Sequence, residues 1–130
     1  MFAPQLRALV VDDELQVRKL VGRALAKEEF ACDYAADGIE ALEHVVETHY
    51  DLVVTDLRMP NRHGCSLVGD LLRLPSRPVI VVLTGFAEPT LTKALIRRGI
   101  DDIVFKPVNF AAFGAKVKGL VQRRFQSSAW

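Results

Sequence analysis

Near the middle of the chain lies the stretch Leu52-Val53-Val54-Thr55-Asp56, a short run of strand-forming residues that ends in an acid. Similar runs are Leu9-Val10-Val11, followed by Asp12-Asp13, and Val79-Ile80-Val81-Val82-Leu83, followed by Thr84. Their apolar residues are nearly continuous, which is typical of strands buried on both faces of a parallel sheet. We therefore predict a β-strand at each of these three places.

Two further strands are predicted over residues 30–35 and 103–105. Between the strands, apolar residues recur at a spacing of three to four, which predicts five helices. The fourth helix has Pro89 in its first turn and stops at Gly99, and the fifth covers residues 110–124. Because parallel strands need crossover connections, this alternation predicts an α/β fold with helices on both faces of a parallel sheet.

Length and composition limit the possible classes. A chain of 130 residues with formal net charge +1 fits one domain and gives no reason to expect direct binding to nucleic acid or a membrane. Cys32 and Cys65 lack metal-ligand spacing with the histidines, and the longest aliphatic run is far too short to span a membrane. We expect a cytoplasmic protein, with the domain over residues 1–125 and a tail or the start of a linker over 126–130.

Reactive side chains follow four of the predicted strands: Asp12-Asp13, Asp56, Thr84 and Lys106. Singly, each has an ordinary explanation, since an aspartate can cap a helix or open a turn and a lysine can be solvated. In a parallel sheet, however, the carboxyl ends of the strands meet at one edge. These residues are therefore predicted to share one site.

Such a site suits phosphoryl transfer. Two carboxylates about 4 Å apart repel by roughly 4 kcal/mol at a surface-like dielectric, and a hard cation such as Mg²⁺ relieves this repulsion. Lys106 would add positive charge, and the Thr84 hydroxyl would serve as a hydrogen-bond donor to an incoming oxygen. Charge neutralisation and positioning of this kind carry most of the catalysis in phosphoryl transfer.

The chain resembles the receiver domains of bacterial response regulators, which act in two-component signalling. The resemblance extends from Arg7 to Arg124 and implies a flavodoxin-like sheet with strand order 2-1-3-4-5 and a cis Lys106–Pro107 bond. The matching motifs are Asp12-Asp13, Asp37-Gly38-Ile39-Glu40-Ala41-Leu42, Asp56-Leu57-Arg58-Met59-Pro60, Thr84-Gly85 and Gly99-Ile100-Asp101-Asp102-Ile103-Val104-Phe105-Lys106-Pro107.

The resemblance also implies roles for individual residues. Asp56 would be the phosphoacceptor and Lys106 its partner, while Thr84 would swing toward the phosphoryl group. The residues expected at the Mg²⁺ ion are Asp13, Asp56 and the main-chain carbonyl of Arg58, with Asp12 acting mainly through water.

The expected phosphodonor is a sensor histidine kinase or a histidine phosphotransfer protein. The domain would catalyse its own phosphorylation and slow dephosphorylation, without turning over a free substrate. The signal would change the surface of helix four, strand five and helix five, and pass to an output domain beyond residue 130 or to a separate effector. Basic residues there are either a solvated face or a partner or homodimer surface: Lys93, Arg97, Lys116, Arg123 and Arg124.

One position departs from the family pattern. Receiver domains usually have Tyr or Phe three residues before the lysine, and here that residue is Ile103. An alternative is therefore a receiver-like interaction module that no longer uses phosphorylation. A phosphatase of the haloacid dehalogenase type is disfavoured because Arg58 stands where it needs a second acid.

Overall fold

The computed structural model describes residues 5–58, 64–85 and 88–128. All strand pairs in its five-stranded sheet are parallel, and the strand order is β2-β1-β3-β4-β5. The predicted fold class and strand order are confirmed. The strands are β1 Arg7–Val11, β2 Ala31–Ala35, β3 Leu52–Thr55, β4 Val79–Thr84 and β5 Asp102–Phe105. The helices are α1 Leu15–Lys27, α2 Gly38–Glu47, α3 Gly64–Leu72, α4 Pro89–Arg98 and α5 Phe110–Ser128.

The sheet separates two apolar cores. Leu9 and Val53 belong to the core that contains side chains of α2, α3 and α4, whereas Val10 and Val54 belong to the core that contains side chains of α1 and α5. Adjacent strand residues thus face opposite cores, and both β3 and β4 are buried along their whole length. This double coverage explains why the strand sequences are continuously apolar.

Side chains at the helix ends fix where two of the helices begin. The Asp37 carboxylate accepts a 2.8 Å hydrogen bond from the Glu40 N–H and caps α2. The Glu88 carboxylate caps α4 by accepting from the Thr90 and Leu91 N–H groups, directly before Pro89. At the other end of α4, Gly99 has φ +110°, a conformation in which a side chain is strained. The predicted bounds of α4 are confirmed.

The structure differs from the predicted bounds at some element ends. The first strand begins at Arg7, two residues earlier than the predicted run, and the last helix continues to Ser128 instead of ending at Arg124. No proline or glycine lies between Arg124 and Ser128 to end the helix. Part of the predicted tail at 126–130 is therefore helical. None of the helices within 5–58, 64–85 and 88–128 is long and apolar enough to cross a bilayer.

Helix α5 packs so closely against α1 that their main chains approach each other at Gly114. A Cβ atom placed on Gly114 would lie 2.6 Å from the carbonyl oxygen of Ala24, closer than real Cβ atoms approach. A Cβ on Gly119, five residues along the same helix, would meet only the flexible Arg123 guanidinium, at 3.9 Å. The close approach of two main chains explains why a glycine stands inside α5 at position 114.

We expect alanine at these two glycines to have opposite effects on stability. Gly119→Ala should raise the free energy of unfolding by about 0.5–1 kcal/mol, because alanine favours a helix interior over glycine. Gly114→Ala should lower it by about 1–2 kcal/mol, since the clash with the Ala24 carbonyl outweighs that gain. Urea denaturation of both variants measures the difference. Equal stabilisation by the two substitutions would refute the close packing of α5 on α1.

Candidate functional site

The strand ends converge as predicted. Asp12 follows β1, Asp56 follows β3, and Lys106 follows β5. The Lys106 Nζ atom lies 2.9 Å from Asp56 Oδ2 and 3.1 Å from Asp12 Oδ2, so one ammonium bridges both carboxylates. Thr84, at the end of β4, is 1% exposed and lines the same depression as Asp56 and Lys106. Residues up to 94 positions apart in sequence are thus in direct contact.

The main chain holds the two carboxylates in fixed orientations. Asp12 Oδ1 accepts a 2.9 Å hydrogen bond from the Glu14 N–H. Asp56 Oδ1 accepts a 2.6 Å bond from the Leu57 N–H and a 3.3 Å bond from the Arg58 N–H. In each carboxylate, Oδ1 is therefore bound to the backbone and Oδ2 is directed at Lys106.

The ionisation of the site reflects its burial. Burial raises the pKa of Asp12, although the Glu14 N–H and Lys106 act in the opposite direction. Burial also acts to lower the pKa of Lys106, but hydrogen bonds to Asp56 and Asp12 outweigh it and hold that pKa above its usual value. Lys106 therefore stays charged at neutral pH. Burial thus makes the charged form of Asp12 less favourable than that of a solvated aspartate, and further positive charge nearby would act in the opposite direction.

Two further acids lie beside Asp12. Oxygens of the Asp12, Asp13 and Glu14 carboxylates all lie within 4.8 Å of one another, with Asp12 buried and the other two exposed. Glu14 Oε1 also lies 3.9 Å from Lys106 Nζ. Sequence reasoning singled out Asp12 and Asp13 but missed Glu14. The available signal was a third acid directly after the pair.

The site opens to solvent through a small depression, which is lined by Glu14, Asp56, Arg58, Thr84, Gly85 and Lys106. Its oxygen-rich donors are of the kind that Mg²⁺ prefers, so the residues present fit a hard divalent cation. The peptide bond between Lys106 and Pro107 is cis, as predicted. The motif residues Met59 and Pro60, like residues 61–63 and 86–87, lie outside the described part of the chain.

The position of the expected aromatic residue is occupied by a packed aliphatic side chain. Ile103 lies on β5, is partly buried, and packs against the core that includes Leu95 of α4. It has neither a hydroxyl group nor a ring that could change its contacts. The residue expected to couple Thr84 to the α4–β5 surface is thus aliphatic in this chain.

Comparison with known proteins identifies the family. The sequence model of the family described as 'response regulator receiver domain' matches residues 8–118. This chain belongs to the response regulator receiver domain family. The receiver domain is 33% identical over 124 residues to the transcriptional regulatory protein ResD of Bacillus subtilis, covering 95% of this chain and 51% of ResD. It is 36% identical over 118 residues to the transcriptional regulatory protein PrrA of Mycobacterium leprae, covering 91% of this chain and 51% of PrrA.

Solved structures agree with this assignment. The receiver domain matches the response regulator TrrA of Thermotoga maritima, solved in complex with Mg²⁺-BeF, at 34% identity and a TM-score of 0.77, covering 88% of this chain and 98% of TrrA. A CheY-like receiver domain protein of Methanospirillum hungatei shares the fold, with a TM-score of 0.89 at 22% identity over 95% of this chain and 99% of that chain. The receiver domain is thus a module of two-component signalling. It spans about half the length of the curated relatives that it matches.

Proposed function

We propose that this receiver domain accepts a phosphoryl group onto Asp56 from the phosphohistidine of a sensor histidine kinase or a histidine phosphotransfer protein. The observation that carries the proposal is the Lys106 ammonium, which lies 2.9 Å from Asp56 Oδ2 and 3.1 Å from Asp12 Oδ2. A lysine held at this distance can neutralise charge as a phosphoryl group arrives at the carboxylate. The domain thereby catalyses its own modification and does not turn over a free substrate.

The geometry supports Asp56 as the nucleophile. Its Oδ1 is engaged by the Leu57 and Arg58 N–H groups, which leaves Oδ2 facing the depression. In the transfer, Asp56 Oδ2 forms a bond to phosphorus while the bond from phosphorus to the histidine nitrogen breaks. The imidazole leaves with the bonding electron pair and takes up a proton. Lys106 then shares its ammonium with the new phosphoryl oxygens, and Thr84 donates a hydrogen bond to one of them.

The proposed metal is Mg²⁺, held by Asp13, Asp56 and the main-chain carbonyl of Arg58, with Asp12 acting mainly through water. When bound, Mg²⁺ would supply charge that offsets the acids and the phosphoryl oxygens. The raised pKa of Asp12 supports the need for such a cation. The TrrA structure supports it too, since that relative was solved with Mg²⁺-BeF.

The proposed output is a shift of the surface formed by α4, β5 and α5. A phosphoryl group adds about −1.5 to −2 charges, and new bonds to Thr84 and Lys106 would bias one arrangement of that surface. Because Ile103 cannot form a hydrogen bond, the coupling would pass mainly through Thr84. The same surface is the proposed site of a homodimer, with Lys93 and Arg97 exposed on α4.

The relatives indicate the wider setting. ResD and PrrA are named as transcriptional regulatory proteins and are about twice as long as the aligned region. We propose that the domain over residues 1–125 acts on an output domain beyond residue 130, with 126–130 as the start of the connection, or on a separate effector. The domain would work in the cytoplasm and would not itself contact nucleic acid or a membrane.

The experiment that tests this function exposes the chain to acetyl phosphate with Mg²⁺ and follows its intact mass. We expect a gain of one phosphoryl group, about 80 Da. Removal of the metal with EDTA should abolish the gain, because the acids then repel the anionic donor. A folded chain that stays unmodified with Mg²⁺ present would instead favour the interaction module that no longer uses phosphorylation.

A further inference from the structure

We propose that Glu14 belongs to the cation site of this receiver domain, where it accepts a hydrogen bond from a metal-bound water and strengthens Mg²⁺ binding. The inference deepens the proposed function and rests on it. It assigns a role to Glu14, an acid that is not among the residues expected to hold the metal or to accept the phosphoryl group.

The first observation is the position of the Glu14 carboxylate. Its oxygen lies within 4.8 Å of carboxylate oxygens of both Asp12 and Asp13, the acids expected at the cation. It also lines the depression that contains Asp56 and Lys106. Glu14 therefore stands at the rim of the site, on the side from which solvent enters.

The second observation is that helix α1 does not use this side chain. Glu14 is the N-cap residue of α1, where a short polar side chain usually accepts a hydrogen bond from the first turn, yet its side chain makes no capping bond. The hydrogen bonds of Glu14 at the start of the helix come from its main chain instead. The Glu14 N–H donates to Asp12 Oδ1, and the Glu14 carbonyl accepts from the Arg18 N–H at 3.1 Å. The carboxylate is directed toward Lys106, at 3.9 Å, which is beyond hydrogen-bonding distance.

The charge balance of the site favours a cation near this carboxylate. Four acids (Asp12, Asp13, Glu14 and Asp56) lie at the site, and they outnumber the cationic side chains beside them: Lys106, Arg58 in the depression, and Arg18, which donates to the Asp12 main-chain carbonyl at 2.7 Å. Like charges this close raise the free energy of the folded chain unless a divalent ion is bound. Each acid that faces the ion therefore adds to its affinity.

Contact through water fits Glu14 better than direct ligation. Mg²⁺ gives up its water molecules reluctantly and keeps several of them in protein sites. Acceptors for such waters orient them and contribute to metal affinity. The Glu14 side chain is 65% exposed, whereas that of Asp12 is 3% exposed, so the Glu14 carboxylate is accessible to waters that a bound ion would retain.

The test is the dissociation constant of Mg²⁺, measured by isothermal titration calorimetry on the whole unphosphorylated chain. We expect Glu14→Gln to weaken Mg²⁺ binding by about 3- to 10-fold. This loss lies at or below the low end of what removal of an outer-shell partner typically costs in metal affinity, because the Glu14 side chain is exposed. The matched control is Glu47→Gln, which removes the same charge from an exposed residue at the far end of α2 and should leave the constant unchanged. Circular dichroism checks that both variants are folded.

A third variant separates the failure of this inference from that of the proposed function. Asp13→Asn removes a direct ligand and should weaken binding by at least about 10-fold. If the wild-type chain binds no Mg²⁺, or if Asp13→Asn binds it normally, the proposed metal site itself is wrong. If the wild-type chain binds Mg²⁺, Asp13→Asn binds it weakly and Glu14→Gln binds it like the wild-type chain, only the role of Glu14 is overturned. An equal loss in Glu47→Gln would also overturn it, because the effect would then be one of net charge.

Discussion

Phosphorylation by acetyl phosphate is expected to slow by about 100-fold when Lys106 is replaced by methionine. Methionine keeps an unbranched apolar stem and removes the ammonium that contacts Asp56 and Asp12. Because both carboxylates are nearly buried, a positive charge between them is worth more than it would be in water. Without it, the phosphoryl oxygens would arrive beside two acids that no longer have an ammonium between them.

The matched control is Lys116→Met. Lys116 pairs with Asp102 at 2.9 Å, its side chain is 56% exposed, and its removal changes the net charge by the same amount. We expect this variant to be phosphorylated at the wild-type rate, since exposed ion pairs contribute little. The rate is measured as the gain of intact mass with time at saturating Mg²⁺. Wild-type kinetics for Lys106→Met would remove Lys106 from the transfer step.

Loss of the metal must be excluded as the cause of a slow rate. The Lys106 ammonium repels an incoming cation, so Lys106→Met should bind Mg²⁺ at least as tightly as the wild-type chain. Calorimetry on the same variant checks this. A slow rate combined with intact Mg²⁺ binding would place the defect in phosphoryl transfer.

Complete loss of phosphorylation is expected in Asp56→Asn. Asparagine has nearly the same shape and keeps an oxygen that can accept the Leu57 N–H. Its amide is neutral and a poor nucleophile, so no acyl phosphate can form at this position. The fold should be retained, because the hydrogen bond to the backbone is preserved.

The control for this variant is Asp70→Asn on α3. Asp70 pairs at the surface with Arg73 at 3.2 Å and lies outside the candidate site. The Asp70→Asn variant should be phosphorylated at Asp56 as the wild-type chain is, with the same increase in intact mass. A phosphorylated Asp56→Asn chain would show that another residue accepts the group.

The fold and the centre of the site could be predicted because each key residue directly follows a recognisable strand. The apolar runs before Asp12, Asp56 and Thr84 are visible locally, and parallel pairing then brings their ends together. The contacts from Lys106 to Asp12 and Asp56, which span 94 and 50 positions, follow from this single geometric rule.

Other features depend on the direction of individual side chains, which no local pattern encodes. Glu14 looks like any exposed acid at the start of a helix until its carboxylate is seen near Lys106. The close approach of Gly114 to Ala24 depends on how α5 packs on α1, and it could not be read from the helix alone. The extension of α5 to Ser128 was missed because its polar last residues carry no apolar periodicity.

The claim that Asp56 accepts the phosphoryl group is tested most directly by reducing the phosphorylated chain with sodium borohydride, which converts an acyl phosphate into an alcohol. Peptide mass spectrometry then locates the reduced residue. We expect homoserine at position 56, formed only in samples that received both acetyl phosphate and Mg²⁺. Reduction at Asp12, Asp13 or any other residue, with position 56 unchanged, would contradict the assignment of Asp56.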